Sequence, residues 1–210
     1  MTENTKMLDI IDKFEIIEVI SKLFRCRDSG DWEGLAECFH ADARLNTSWF
    51  SGSAQEFVEK AKKRRADWHS TESSKHVMAN PCVTLKGDRA VFEYHLNLQR
   101  RNVIDGYEFD LQTWSTCLDL FEKRDGKWRA VKRTPIYEKD RMDPYNPAEV
   151  PKSYYAQMDL SRYPAAIRYH CYSNEKKSGN PPSANLVIKG TPEEEATRKE
   201  AKEWLQTEIK

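Results

Sequence analysis

A chain of 210 residues, 39% hydrophobic and 11% aromatic, is long enough to bury the core of one medium domain, with or without an extension. Its 34 Lys and Arg balance 34 Asp and Glu, so no net field draws it to nucleic acid or to an anionic membrane surface, and neither is expected as a partner. The five cysteines (Cys26, Cys38, Cys82, Cys117, Cys171) contain no C-x-x-C pair, the N-terminal MTENTKMLDIIDKFEII mixes charge into its apolar residues, and no apolar run nears the roughly 18 residues of a membrane span; together these favour a reduced, cytoplasmic protein.

Ile10, Phe14, Ile17, Ile20 and Phe24 recur at three- and four-residue steps and predict an opening helix with that row buried. The next step of the row lands on Asp28, and Gly30 then offers a stop. Asp31 can cap a second short helix, DWEGLAECF, ahead of a strand-like ARLNTSWF. Ser53 and Glu56 form a capping box for a helix reaching about Asp67, with Phe57 and Ala61 inward and KAKKRR as a solvated basic face. From Lys75 the pattern changes to strands: a pair around Gly87-Asp88, then a long hairpin around Asp125-Gly126. Helices first and antiparallel strands afterwards indicate an α+β fold. The sequence divides at about residue 143. Residues 144–210 hold seven prolines and no core of their own, and are expected to wrap the domain or a neighbouring subunit.

The run FRCRDSGDWEGLAECFHADARL, the helix SAQEFVEKAKK, the His of SSKHVMAN and the hairpin DLFEKRDGKWRAVKR together resemble the SnoaL-like branch of the nuclear transport factor 2 superfamily over roughly residues 10 to 145. That group includes scytalone dehydratase, bile acid 7α-dehydratase and hexachlorocyclohexane dehydrochlorinase. The resemblance implies a cone-shaped, curved antiparallel sheet around a deep apolar cavity, a homodimer or higher homo-oligomer, and no metal or cofactor. It also implies an Asp-His pair inside the cone, and the matching positions are Asp28 and His76. Arg133 falls where dehydrochlorinase-like members carry a cavity arginine, and Ser115 matches a serine of scytalone dehydratase. The tyrosines by which those dehydratases activate water are not matched: their positions hold Arg27, Leu23 and, nearby, Thr47.

A lone buried carboxylate is costly and takes up a proton unless a partner compensates it. A histidine on a facing strand is the simplest partner: Asp28 would accept the Nδ1 proton of His76, fix its tautomer and leave Nε2 as a base, with the carboxylate raising the ring's pKa from about 6.5. Read without the resemblance, Asp28 equally ends a helix and His76 is an ordinary strand residue. His95 alternates with Glu93 and Asn97, while Phe92, Tyr94, Leu96 and Leu98 take the other face; the pattern leaves open which face looks inward. The histidines show no H-x-H or H-E-x-x-H spacing for zinc, and there is no G-x-S-x-G elbow or glycine-rich phosphate loop.

These features point to a cofactor-independent lyase, dehydratase-like, acting on a small apolar aromatic or polycyclic compound. His76 would move the proton, Asp28 would orient and balance it, Arg133 and Ser115 would hold a developing oxyanion or leaving group, and Trp49 would form a cavity wall. An isomerase or cyclase would use the same pair. The alternative from another class is a non-catalytic ligand-binding or structural subunit of the same fold.

Overall fold

A computed structural model describes residues 3–207. Helix α1 (Glu3–Ser29) ends at Gly30, whose φ of +84° lets its N–H turn back to the Cys26 carbonyl at 2.9 Å. Asp31 caps α2 (Trp32–Ala36) by accepting the Gly34 N–H at 2.9 Å. Strands β1 (Phe39–Asn46) and β2 (Ser51–Ser53) lead into α3 (Ala54–Ala66), where the capping box is complete: Ser53 Oγ accepts the Glu56 N–H and the Glu56 carboxylate accepts the Ser53 N–H. Four long strands follow: β3 (Ser73–Lys86), β4 (Arg89–Ile104), β5 (Tyr107–Arg124) and β6 (Lys127–Pro144). The Asp105-Gly106 and Asp125-Gly126 turns hold positive φ at both residues, the two-residue hairpin geometry that matches strand twist.

The sheet order is β2-β1-β6-β5-β4-β3, antiparallel except where β1 runs beside β6; a short seventh strand at Val187–Ile188 also pairs parallel with β6. Register shifts in β3 between Ala79 and Cys82, and between β5 and β6 at Trp114/Ser115 and Leu120/Phe121, are the irregularities by which such a sheet curves. On the inner face Ala90, Phe92 and Tyr94 pack with Ile16, Ile20, Leu23 and Phe24 of α1 and Phe57 of α3. His95 lies on the other face, exposed and within 3.1 Å of Asn80, so the Phe92–Leu98 alternation is the one that looks inward.

The buried row of α1 differs from the expected one. Of the expected residues Ile20 and Phe24 are buried, but Ile10 and Phe14 are 67% and 62% exposed, while Ile16 is fully buried instead. The packed row is Asp12, Ile16, Ile20, Leu23 and Arg27, because the tip of the β5–β6 hairpin grips Asp12: Lys123 Nζ and Trp128 Nε1 both donate to its carboxylate, at 2.7 and 2.8 Å.

Beyond β6 the chain forms α4 (Lys152–Ala156), a 3-10 turn (Ala165–Ile167), α5 (Arg168–Ser178), β7 (Val187–Ile188) and α6 (Pro192–Gln206). Tyr163, Ile167, Cys171 and Tyr172 pack with Ile104, Phe109, Leu111 and Tyr137 of the long strands, so this segment shares a core with the sheet. Helix α6 lies on the outer face, with Ala201, Trp204 and Leu205 over Val91, Leu118 and Leu120. No helix among the described residues is long and apolar enough to cross a membrane.

Candidate active site

The inner face of the sheet and helices α1, α3 and α5 enclose a cavity. Its wall includes Leu23, Phe24 and Arg27 from α1, Phe57 and Arg64 from α3, His76, Leu96, Leu98 and Arg100 from β3 and β4, Ser115 and Arg133 from β5 and β6, and His170 and Asn174 from α5. Trp49, in the loop before β2, is another wall residue, packed at a tilt against Phe50 and Phe57 with ring centroids 5.7 and 5.3 Å away.

Asp28 and His76 meet. Asp28 Oδ1 lies 2.6 Å from His76 Nδ1, and Oδ2 accepts the backbone N–H of the same residue at 2.9 Å. One carboxylate thus fixes both the ring and the strand that carries it. The residue is held in turn by Arg65, which donates to the Asp28 carbonyl at 2.7 Å. Asp28 sits behind the histidine, at the edge of the buried face of α1; the central position of that face is taken by Arg27. The side chains are 9% and 15% exposed, and only His76 reaches the cavity wall. The imidazole stacks on Phe24, with centroids 5.1 Å apart and planes within 7°. Its Nε2 has no protein hydrogen-bond partner among the described residues.

Burial opposes the charge on Asp28, but the ring and backbone donors of His76 outweigh it and hold the carboxyl below its ordinary value. For His76, burial is the larger influence and lowers the pKa; Asp28 pulls the other way, and Arg27 and Arg133 add to the lowering. The sequence alone gave the carboxylate's upward pull the last word, because desolvation and two neighbouring arginines are invisible there. The resting pair is therefore an ionised Asp28 and a neutral His76 that donates from Nδ1, with Nε2 available to accept a proton.

Arg133 is 6% exposed, its guanidinium 4.8 Å from the Phe24 ring and 3.6 Å from Asp119 Oδ2, and its Nη1 makes no hydrogen bond. Ser115 is buried in the same wall, with Oγ 4.0 Å from Cys117 Sγ. All five residues singled out from sequence border or support this cavity. Sequence reasoning missed Arg27, Arg64, Arg100, His170 and Asn174. Two carried a signal: Arg64 is in phase with Phe57 and Ala61 on α3, although it belongs to the basic run read as solvated, and Arg100 continues the Leu96, Leu98 alternation of β4. Among the described residues, no group of three or more His, Cys, Asp and Glu side chains is placed to hold a metal ion.

A family model for the SnoaL-like domain matches residues 9–134. The chain belongs to the SnoaL-like family. It is 29% identical over 209 residues to a PEP2-like protein of Fusarium vanettenii, covering 95% of this chain and 88% of that one. Among solved structures, LinA shares the fold with a TM-score of 0.57 at 16% identity, over 68% of this chain and 95% of LinA. A candidate scytalone dehydratase from Novosphingobium aromaticivorans does so with a TM-score of 0.55 at 15% identity, over 69% and 97%. The SnoaL-like match ends within β6, so Arg133 falls inside it, whereas α5 and its three cavity residues, His170, Asn174 and Lys177, lie beyond.

Proposed function

We propose that this SnoaL-like protein is a cofactor-independent enzyme that moves one carbon-bound proton of a small aromatic or polycyclic compound, completing an elimination of water or a comparable leaving group. The observation that carries the reading is the Asp28–His76 pair, with the carboxylate behind the ring and the ring at the cavity wall. A passive container gains nothing from burying a carboxylate that only one histidine compensates.

In this reading His76 Nε2 takes the proton from carbon. The imidazolium that forms is balanced by Asp28, to which Nδ1 is already bonded, so little reorganisation accompanies the transfer. Electrons released at carbon move toward the leaving group or an adjoining oxygen. Arg133, with an unused N–H in a buried site, and the Ser115 hydroxyl are placed to hold that developing negative charge. A general base of this kind contributes about 10²- to 10⁴-fold. That suffices for a proton next to an activating phenol, enone or good leaving group.

The test is a mass-spectrometric screen of lignin-derived, steroid and polyketide compounds for loss of water, halide or formaldehyde. With a substrate found, Asp28→Asn and His76→Gln are each expected to lower turnover by about 10²- to 10⁴-fold while substrate still binds. Undiminished turnover in either variant removes the pair from the chemistry.

A further inference from the structure

The cavity wall includes Arg27, Arg64, Arg100, Arg133 and Lys177 and not one Asp or Glu. Two of these cations are matched by carboxylates behind the wall: Arg133 by Asp119, and Lys177 by Glu72. Arg64 and Arg100 are not. Among the described residues neither has a carboxylate within ion-pair distance. The nearby acids are engaged elsewhere, Asp140 with the His170 backbone N–H at 2.7 Å and Glu72 with Lys177 and the Val103 N–H.

Instead, both guanidinium groups converge on one neutral acceptor. Arg100 Nη1 donates to Asn174 Oδ1 at 2.9 Å, and Arg64 Nη2 reaches the same oxygen at 3.4 Å. Arg100 Nη2 lies 3.2 Å from His170 Nδ1, which makes that nitrogen an acceptor, so Nε2 carries the hydrogen and donates to Ser48 Oγ at 2.6 Å. His170 is thus a neutral support for Arg100. Burial, with the charges of Arg100 and Arg64, keeps its pKa well below the ordinary value.

Donors are left over. Arg100 Nε and Asn174 Nδ2 are both buried without a hydrogen-bond partner, and Asn174 as a residue is only 4% exposed. Two like charges on one amide oxygen, with spare buried N–H groups beside them, form an arrangement that an acceptor-only anion completes. Trp49 holds the Arg64 guanidinium at 4.6 Å from its ring and offers an aromatic surface next to it.

We propose that Arg64, Arg100 and Asn174 form a carboxylate subsite of the cavity, so that the substrate of the Asp28–His76 pair is an aryl or polycyclic acid anchored there by its carboxylate. This inference rests on the reading of the cavity as the active site, and it narrows the substrate class from apolar to amphipathic: an aromatic body against Trp49, Phe57 and Leu98, and an acid group on the two arginines.

The test reads binding, so that it stands apart from turnover. Benzoate, cinnamate and 2-naphthoate, each paired with its carboxamide, are titrated calorimetrically into the full chain. The carboxylates are expected to bind at least about tenfold tighter than the matching amides, a preference that weakens with added salt. Arg100→Gln and Arg64→Gln should each bring the preference close to unity, while Asp28→Asn and His76→Gln keep it. Because removing one of two unneutralised charges relieves their repulsion, the ligand-free midpoint of Arg100→Gln should equal or exceed that of the natural protein. The proposal is overturned if the amides bind as well as the acids, if neither series binds at millimolar concentration, or if both arginine variants keep the preference. Loss of turnover in Asp28→Asn with an intact acid preference, or the reverse, separates the fate of the subsite from that of the proton-moving pair.

Discussion

Asp28 engages His76 through two different bonds, and they respond differently to substitution. An Asn can still accept the His76 backbone N–H through its oxygen, but it cannot supply the negative charge that balances an imidazolium. The carboxylate raises the His76 pKa against a larger lowering by burial, so its removal leaves only lowering influences. We therefore expect an imidazole pKa below 6.5 in the natural protein and lower still in Asp28→Asn, read from the ring nitrogens by NMR. A rise would show that the carboxylate does not govern the ring. The same shifts set acid stability. His76 and His170 have folded pKa values below 6.5, so as pH falls through 6.5 the unfolded chain takes up protons that the folded chain refuses, and stability is lost; Asp28, held below its ordinary value, adds a loss at lower pH. Asp140, pushed up by burial to about 6, and Asp119, also raised by burial, act in the opposite sense, gaining stability as they protonate. The contribution of His76 is therefore read by difference: between pH 7 and 5.5 the thermal midpoint of His76→Gln should fall less, or rise more, than that of the natural protein.

Helix α1 shows where sequence reading works and where it fails. Its ends are legible because their determinants are local: Gly30 can take a positive φ, and Asp31 reaches the Gly34 N–H three residues on. The capping box of α3 and the Asp-Gly turns are legible for the same reason. Its buried face is rotated from the expected one: of Ile10, Phe14, Ile17, Ile20 and Phe24 only Ile20 and Phe24 are fully packed, and Ile16 and Leu23 join them, because Lys123 and Trp128, more than a hundred residues away, grip Asp12. That shift moves Arg27 to the centre of the packed face and Asp28 to its edge. The edge is where the first residues of β3 lie, and it lets the carboxylate take the His76 backbone as well as its ring. In urea denaturation, Ile20→Ala is expected to cost about 2–5 kcal/mol because the side chain is fully buried. Phe14→Ser, at a position 62% exposed, should stay within about 0.5 kcal/mol. If the first-expected row were packed along its whole length, Phe14→Ser would cost about as much as Ile20→Ala.

At the scale of the whole molecule, the segment after β6 does two separable things. Its α5 contributes His170 and Asn174 to the cavity, while α6 covers Val91, Leu118 and Leu120 on the opposite face of the sheet. Neither placement was legible in the sequence: proline, tyrosine and charge show that this stretch has no core of its own, but the partners of Ile167 and Trp204 are set by strand faces that only the folded sheet defines. Helix α6 is held by its apolar contacts and by polar links to the sheet: Arg89 lies 4.0 Å from the Trp204 ring and donates to the Trp204 and Thr207 carbonyls, Lys132 pairs with Glu200, and Arg198 pairs with Glu93. None of its residues borders the cavity. Removing residues 191–210 should accordingly leave the inner site intact while baring a contiguous apolar strip on β4 and β5, a surface of the kind that drives association. The shortened chain is expected to bind a hydrophobic dye, to gain mass by light scattering as concentration rises, and to keep whatever carboxylate preference the full chain has. A chain ending at residue 145 should fare worse, because it also uncovers Ile104, Phe109 and Leu111 and withdraws His170 and Asn174. A non-associating 1–190 chain would mean that α6 covers little that matters, and loss of acid preference in it would mean that the two faces of the sheet are energetically coupled rather than independent.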